Sequence, residues 1–192
     1  MRRLALGFAL MMLLTAASAA AQTETPRFEI GGSYSLLRTS RVTGGGFYLH
    51  GGSGSFAVNV NDWLGFVADG GHYRTDSIGP SGFGLKITSL MFGPRATYRG
   101  FEHFNLFAQQ LVGFGHAGGT LYTLGFAPGT AAPGPVNGFA MATGGGLDLN
   151  LTRSLAIRAV QGEWLYTTFP NGASNRQNYL RLAFGAVLRF GG

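Results

Sequence analysis

The stretch Leu180-Arg181-Leu182-Ala183-Phe184-Gly185-Ala186-Val187-Leu188-Arg189-Phe190 alternates over its whole length. Leu180, Leu182, Phe184, Ala186, Leu188 and Phe190 fall on one side of an extended chain, and Arg181, Ala183, Gly185, Val187 and Arg189 on the other. Successive strand side chains point to opposite faces, so a period of two predicts a β-strand with one greasy face and one small or charged face. In water the greasy face would need a core. In a bilayer it can meet lipid directly while the second face lines an interior.

The same pattern recurs from the start of the mature chain. Phe28, Ile30, Gly32, Tyr34 and Leu36 oppose Glu29, Gly31, Ser33 and Ser35, so the two ends of the chain supply strands that can pair and close a cylinder. Between them, alternating segments predict strands at about 47–60, 63–73, 85–98, 104–116, 138–150 and 155–167, giving eight. Their connections alternate between short (61–62, 99–103, 151–154) and long (39–46, 74–84, 117–137, 168–177), as in barrels with tight turns on one side of a membrane and longer loops on the other. The longest loop carries Pro128, Pro133 and Pro135 among Gly, Ala and Thr, and is read as mobile and unsuited to a rigid site.

The N-terminus fits export. Arg2 and Arg3 precede the apolar run Leu4–Leu14, and small residues follow to Ala21, so residues 1–21 are expected to be a cleaved secretory signal and residues 22–192 a single barrel domain. The apolar run covers only about half of the ~20 residues a spanning helix needs, and no later window supplies such a helix. The composition agrees: 33 Gly, 16 Phe, 11% charged residues, one lysine (Lys86) and no cysteine. The formal charge of +6 falls to +4 (12 basic minus 8 acidic) without Arg2 and Arg3, and the remaining arginines are spread singly, which argues against a nucleic-acid patch. The absence of cysteine excludes thiol chemistry and a disulfide framework. Aromatics near the expected strand ends, namely Trp63, Tyr73, Tyr98, Phe101, Phe104, Trp164, Tyr166 and Phe190, fit girdles at two membrane interfaces.

Met91-Phe92-Gly93-Pro94-Arg95 with Tyr98, then Phe107–Gly113, Gly144-Gly145-Gly146-Leu147-Asp148 and the closing Gly185–Phe190 resemble the small bacterial outer-membrane β-barrels of the OmpA-like or opacity-protein type. The resemblance covers residues 27–191 and implies an all-β, eight-stranded, antiparallel up-and-down transmembrane barrel, without the periplasmic domain that wall-tethering members add. It also implies outer-membrane lipid, lipopolysaccharide and the outer-membrane assembly machinery as partners, with an extracellular ligand at the loops and no nucleic acid. The closing strand resembles the signal that machinery reads, although Gly191-Gly192 follow Phe190 here.

By parity the interior should hold Glu29, Asp69, Arg95, Asp148, Glu163 and Arg181, with Gln161 beside them. An eight-stranded barrel is just wide enough inside for side chains to fill, and charges withdrawn from water must pair. Asp69, Arg95, Asp148 and Glu163 are therefore expected to form one hydrogen-bonded cluster, structural or gating, while Leu180, Leu182, Phe184, Leu188 and Phe190 face lipid. Arg158 has outward parity and is expected to snorkel to the interface.

No cofactor or metal site is expected, and the chain is read as no enzyme. His50, His72, His103 and His116 lack a local metal-ligand spacing. Gly113–Gly118 matches the letters of a dinucleotide fingerprint but opens no helix. The role expected is structural or adhesive with a plugged lumen. The rivals are a narrow passive pore, a lipid A-modifying enzyme using Ser53 or Ser55 with His50 or His72, and a soluble lipocalin-like carrier. The last predicts an apolar inside and a polar outside.

Overall fold

The computed structural model describes residues 25–39, 46–78, 82–124, 134–170 and 175–192; the signal assigned to residues 1–21 lies outside them. Eight strands form in chain order: β1 (Phe28–Thr39), β2 (Tyr48–Asn59), β3 (Leu64–Thr75), β4 (Leu85–Tyr98), β5 (Phe104–Gly118), β6 (Val136–Asn150), β7 (Leu155–Thr167) and β8 (Gln177–Phe190). A short helix, α1 (Thr120–Leu124), follows β5. Each strand pairs antiparallel with the next, and β1 pairs with β8 from Phe28↔Phe190 to Thr39↔Tyr179, closing the barrel. The expected strands are all present, with ends moved by up to three residues. Closure leaves no unpaired edge, which a wall immersed in hydrocarbon requires.

Local chemistry explains the tight end. Asn61 Oδ1 accepts hydrogen bonds from the backbone N–H groups of Trp63 (3.0 Å) and Leu64 (2.8 Å), and Thr152 Oγ1 does the same for Ser154 (3.2 Å) and Leu155 (3.0 Å). These side chains replace ladder bonds where the chain reverses. The β4–β5 turn is held by the stacked rings of Phe101 and Phe104, 4.2 Å apart. Both described chain ends lie at this turn end, and α1 lies at the opposite, loop end.

Alternation sorts the wall in β8: Leu180, Leu182, Phe184, Leu188 and Phe190 project outward and are exposed, while Tyr179, Arg181, Ala183, Val187 and Arg189 are buried inside. Two local expectations fail. Arg158 is buried, because the ladder slips between Leu147 and Asp148 and again between Arg158 and Gln161. Ala159 and Val160 both face outward across this bulge, which reverses the parity of everything on its turn-end side. Tyr73 is fully buried inside the barrel instead of joining a girdle. The loop after β5 opens with α1, which buries Tyr122, and Gly84 N donates to Thr120 Oγ1 at 2.7 Å, while Pro128 and Pro133 lie outside the described residues.

Two glycines make room for the interior. A Cβ on Gly144 would lie 2.1 Å from the Gly162 carbonyl oxygen and 2.7 Å from Glu163 Cγ, and one on Gly146 would meet the Phe107 ring at 2.7 Å. Larger residues there would displace Glu163 and Phe107 from the lumen.

Candidate functional site

The lumen is occupied along its length by two unlike fillings. At the turn end and middle it is charged. The Glu29 carboxylate accepts from Asn59 Nδ2 (3.0 Å) and Arg99 Nη2 (2.9 Å), and it faces Arg95 Nη1 (3.6 Å) and Arg189 Nε (3.9 Å). Asp148 takes a two-pronged pair from Arg158, Nε at 2.9 Å and Nη2 at 3.1 Å, and is also approached by Arg189 Nη2 at 3.4 Å. Arg158 Nη1 donates to Gln161 (3.0 Å), and Arg189 Nη1 donates to Asn150 (2.6 Å).

The middle of the network is carried by Gln109. It accepts from Arg95 Nε at 2.8 Å and donates to Glu163 Oε1 at 2.6 Å. Arg181 binds the other Glu163 oxygen, and its Nη1 donates to Asp69 (2.7 Å) and to the Tyr73 hydroxyl (2.8 Å). The guanidinium carbons of Arg95 and Arg158 lie 4.7 and 4.5 Å from the centre of the Phe107 ring, whose π face attracts two cations that would otherwise repel each other. These groups are almost wholly withdrawn from water: Arg181 is 0% exposed, Glu163 1% and Arg95 2%.

The structure places Asp69, Arg95, Asp148 and Glu163 in one network, joined through Glu29 and Arg181, which parity also puts inside, and through Gln109, Arg158 and Arg189. Asp69 meets Arg181 and not Arg95. Arg95 meets Glu29 directly and reaches Glu163 through Gln109. Asp148 meets Arg158 and Arg189. Arg189 and Gln109 carry inward parity and were legible in that sense. Arg99 lies in a turn that no alternation rule covers, and Arg158 lies behind a bulge.

Toward the loop end the filling becomes apolar. Leu37, Leu49, Tyr73, Ile87, Leu165 and Tyr179 are buried there, with Phe169 and Tyr122 above them. The expectation of a small or charged interior thus holds for only part of the lumen. The signal was partly present in the sequence, since Leu37, Leu49, Leu85, Ile87 and Leu165 take inward positions near the loop ends of β1, β2, β4 and β7, with Thr39 and Thr167 as the last inward positions of β1 and β7.

The serines and histidines weighed for lipid chemistry are separated by the barrel wall. Ser53 faces inward, with Oγ 3.0 Å from Ser35 Oγ, whereas His50 and His72 project outward and His72 Nδ1 sits 2.9 Å from Thr88 Oγ1. No nucleophile–base pair can form across that wall. Among the described residues no cluster of three His, Cys, Asp or Glu side chains could hold a metal ion.

The sequence matches the model of the outer membrane protein beta-barrel domain over residues 6–190. In backbone the chain is similar to Neisserial surface protein A, with 14% identity over 85% of this chain and 97% of that one and a TM-score of 0.63. It is also similar to Ail, the attachment invasion locus protein of Yersinia pestis (16% identity, 87% of this chain, 100% of that one, TM-score 0.59), which has been solved with the heparin analogue sucrose octasulfate as well. OprG from Pseudomonas aeruginosa shares 9% identity over 90% of this chain and 100% of that one, with a TM-score of 0.56. At these identities the likeness extends to the barrel alone. A search of curated proteins finds no match.

Proposed function

Because this chain belongs to the outer membrane protein β-barrel family, we propose that it is a closed, non-enzymatic barrel of the bacterial outer membrane whose role is structural or adhesive and is carried by its loops. The observation that supports a closed lumen is its double filling, a charge network from Glu29 to Tyr73 beneath an apolar layer from Leu37 to Phe169. A continuous water path would need a polar, open bore, and here arginines and carboxylates neutralise one another below while hydrocarbon excludes water above.

Export with cleavage after residue 21, delivery by the assembly machinery and lipid contact by Leu180, Leu182, Phe184, Leu188 and Phe190 belong to the same reading. So does an adhesive use of the loops, which accords with the attachment role in the name of Ail. Single-channel recording of the refolded protein in planar bilayers is the test. We expect no conductance steps, and regular steps at modest voltage would replace this reading with the narrow pore.

A further inference from the structure

The apolar outer face of β5 and β6 is broken in its middle. Gln110, near the centre of β5, and Thr143, at the centre of β6, are direct partners, and both project outward and are exposed. On that face Ala108 and Val112 flank Gln110, and Met141 and Gly145 flank Thr143. Among the described residues, the other charged, imidazole, amide and aliphatic hydroxyl side chains on the outside of the strands lie toward the loop ends, from Arg38 on β1 to Asn178 on β8.

A primary amide carries two N–H donors and an oxygen with two lone pairs. Thr143 Oγ1 donates to Gln110 Oε1 at 2.5 Å, and Gln110 Nε2 reaches the Ala142 carbonyl at 3.4 Å. One N–H and one lone pair of the amide are left facing hydrocarbon, which offers them no partner. The backbone beside them is short of a bond as well. The β3–β4 ladder runs unbroken past Pro94, whereas the β4–β5 ladder is interrupted at Gly93 and Pro94, between Phe92↔Val112 and Arg95↔Gln109. Proline has no N–H, so the β5 carbonyl across from it lacks its ladder donor, and sheets confine proline to edges and bulges for that reason.

Next to this polar spot the wall is low. Ala96, Ala108, Gly145 and Gly162 are direct neighbours across β4, β5, β6 and β7. Small residues let two walls approach closely in a membrane, where packing and hydrogen bonds hold surfaces together in place of the hydrophobic effect.

Symmetry selects the occupant. Copies of one chain cross a membrane in one orientation, so a two-fold axis along the membrane normal brings each residue on the axis to its own counterpart at equal depth. Gln110 of each copy then supplies the N–H and the lone pair that the other lacks, whereas a lipid tail supplies neither.

We propose that two copies of the chain associate through β4–β7, with the Gln110 amides paired across the two-fold axis and the row from Ala96 to Gly162 in contact. The association rests on the lipid-facing wall and is independent of the closed lumen. A protein that stays monomeric in micelles loses the dimer and keeps the barrel, whereas one that folds in plain buffer loses both.

Sedimentation equilibrium of the refolded full-length protein in density-matched micelles measures the association, and heat-modified gel mobility confirms that each variant is folded. Gln110→Leu is expected to weaken it about tenfold, the weight of one or two hydrogen bonds within a membrane. Gly162→Leu, where a Cβ would meet nothing nearer than 3.8 Å, should fold and weaken it by at least as much. The chain has no cysteine, so single cysteines report the face. On oxidation in liposomes Ala108→Cys should form a disulfide-linked dimer, and Tyr34→Cys, on β1 across the barrel, should not. A monomer at every concentration leaves the face to lipid and overturns the proposal. An association unchanged by Gln110→Leu does so too, as does a disulfide that forms as readily at position 34 as at 108.

Discussion

Arg181 and Arg95 belong to one network, yet their removal should differ in cost. Arg181 is the shared partner of Asp69 and Glu163, so Arg181→Met strands two buried carboxylates together, a loss of about 3 to 5 kcal/mol or more. Glu29, by contrast, keeps Arg99 and Arg189 when Arg95 is lost, and only Gln109 is left without its donor, so Arg95→Met should cost about 1 to 3 kcal/mol. Urea unfolding in detergent micelles, followed by gel mobility, should rank the two in that order, and Asp69→Asn/Glu163→Gln added to Arg181→Met should restore much of the loss. Equal penalties would show that the pairing scheme is wrong. Apart from Arg158, the inward-facing charged residues of the strands were legible from alternation. Which partner each one finds was not, because opposite strands meet across the lumen at heights that depend on the register of every intervening strand.

At the scale of the element, β7 and β8 mark the limits of alternation from opposite sides. In β8 parity is unbroken, and the wall position of each residue follows from the sequence. Arginine at Phe184, near the middle of the strand, should therefore cost about 2 to 4 kcal/mol, falling to about 0 to 1 at Phe190. Unfolding titrations of the two variants in lipid would refute a lipid-facing strand if the penalties were equal. In β7 the slip between Arg158 and Gln161 puts Ala159 and Val160 on the same outer face, so one unseen residue inverts the reading of Arg158. Nothing in Ile157-Arg158-Ala159-Val160 announces a bulge, which is a property of the pairing with β6 and β8. Cysteines placed at 159 and at 160 should both react with a membrane-soluble maleimide, whereas one at 158 should stay protected. Strict alternation of labelling across the three would remove the bulge and return Arg158 to the interface.

Across the whole molecule, the number of strands sets the bore, and the bore sets what the interior can be. Eight strands leave room for side chains and little else, so on the proposed reading function passes to the outer wall and the loops, and the lumen is a stability problem solved in two ways. The charged filling is costly to desolvate and is held by mutual pairing. The apolar filling needs no pairing and excludes water by packing alone. Because the two are stacked in series, either should keep the barrel closed. Replacing Arg181, Asp69 and Glu163 together by Met, Asn and Gln removes the upper charges but leaves Leu37, Leu49, Ile87 and Tyr179 in place, and planar bilayers should show no steps. Leu49→Ala/Tyr179→Ala alone opens the apolar layer onto an intact charge network and should also stay closed. Only the combined variant with Arg95→Ala and Arg158→Ala added, which also opens the turn-end charges, should conduct once its heat-modified mobility verifies that it is folded. Steps from the charge-neutralised variant alone would mean that the apolar layer is not a seal, and the closed state would then rest on the salt bridges by themselves.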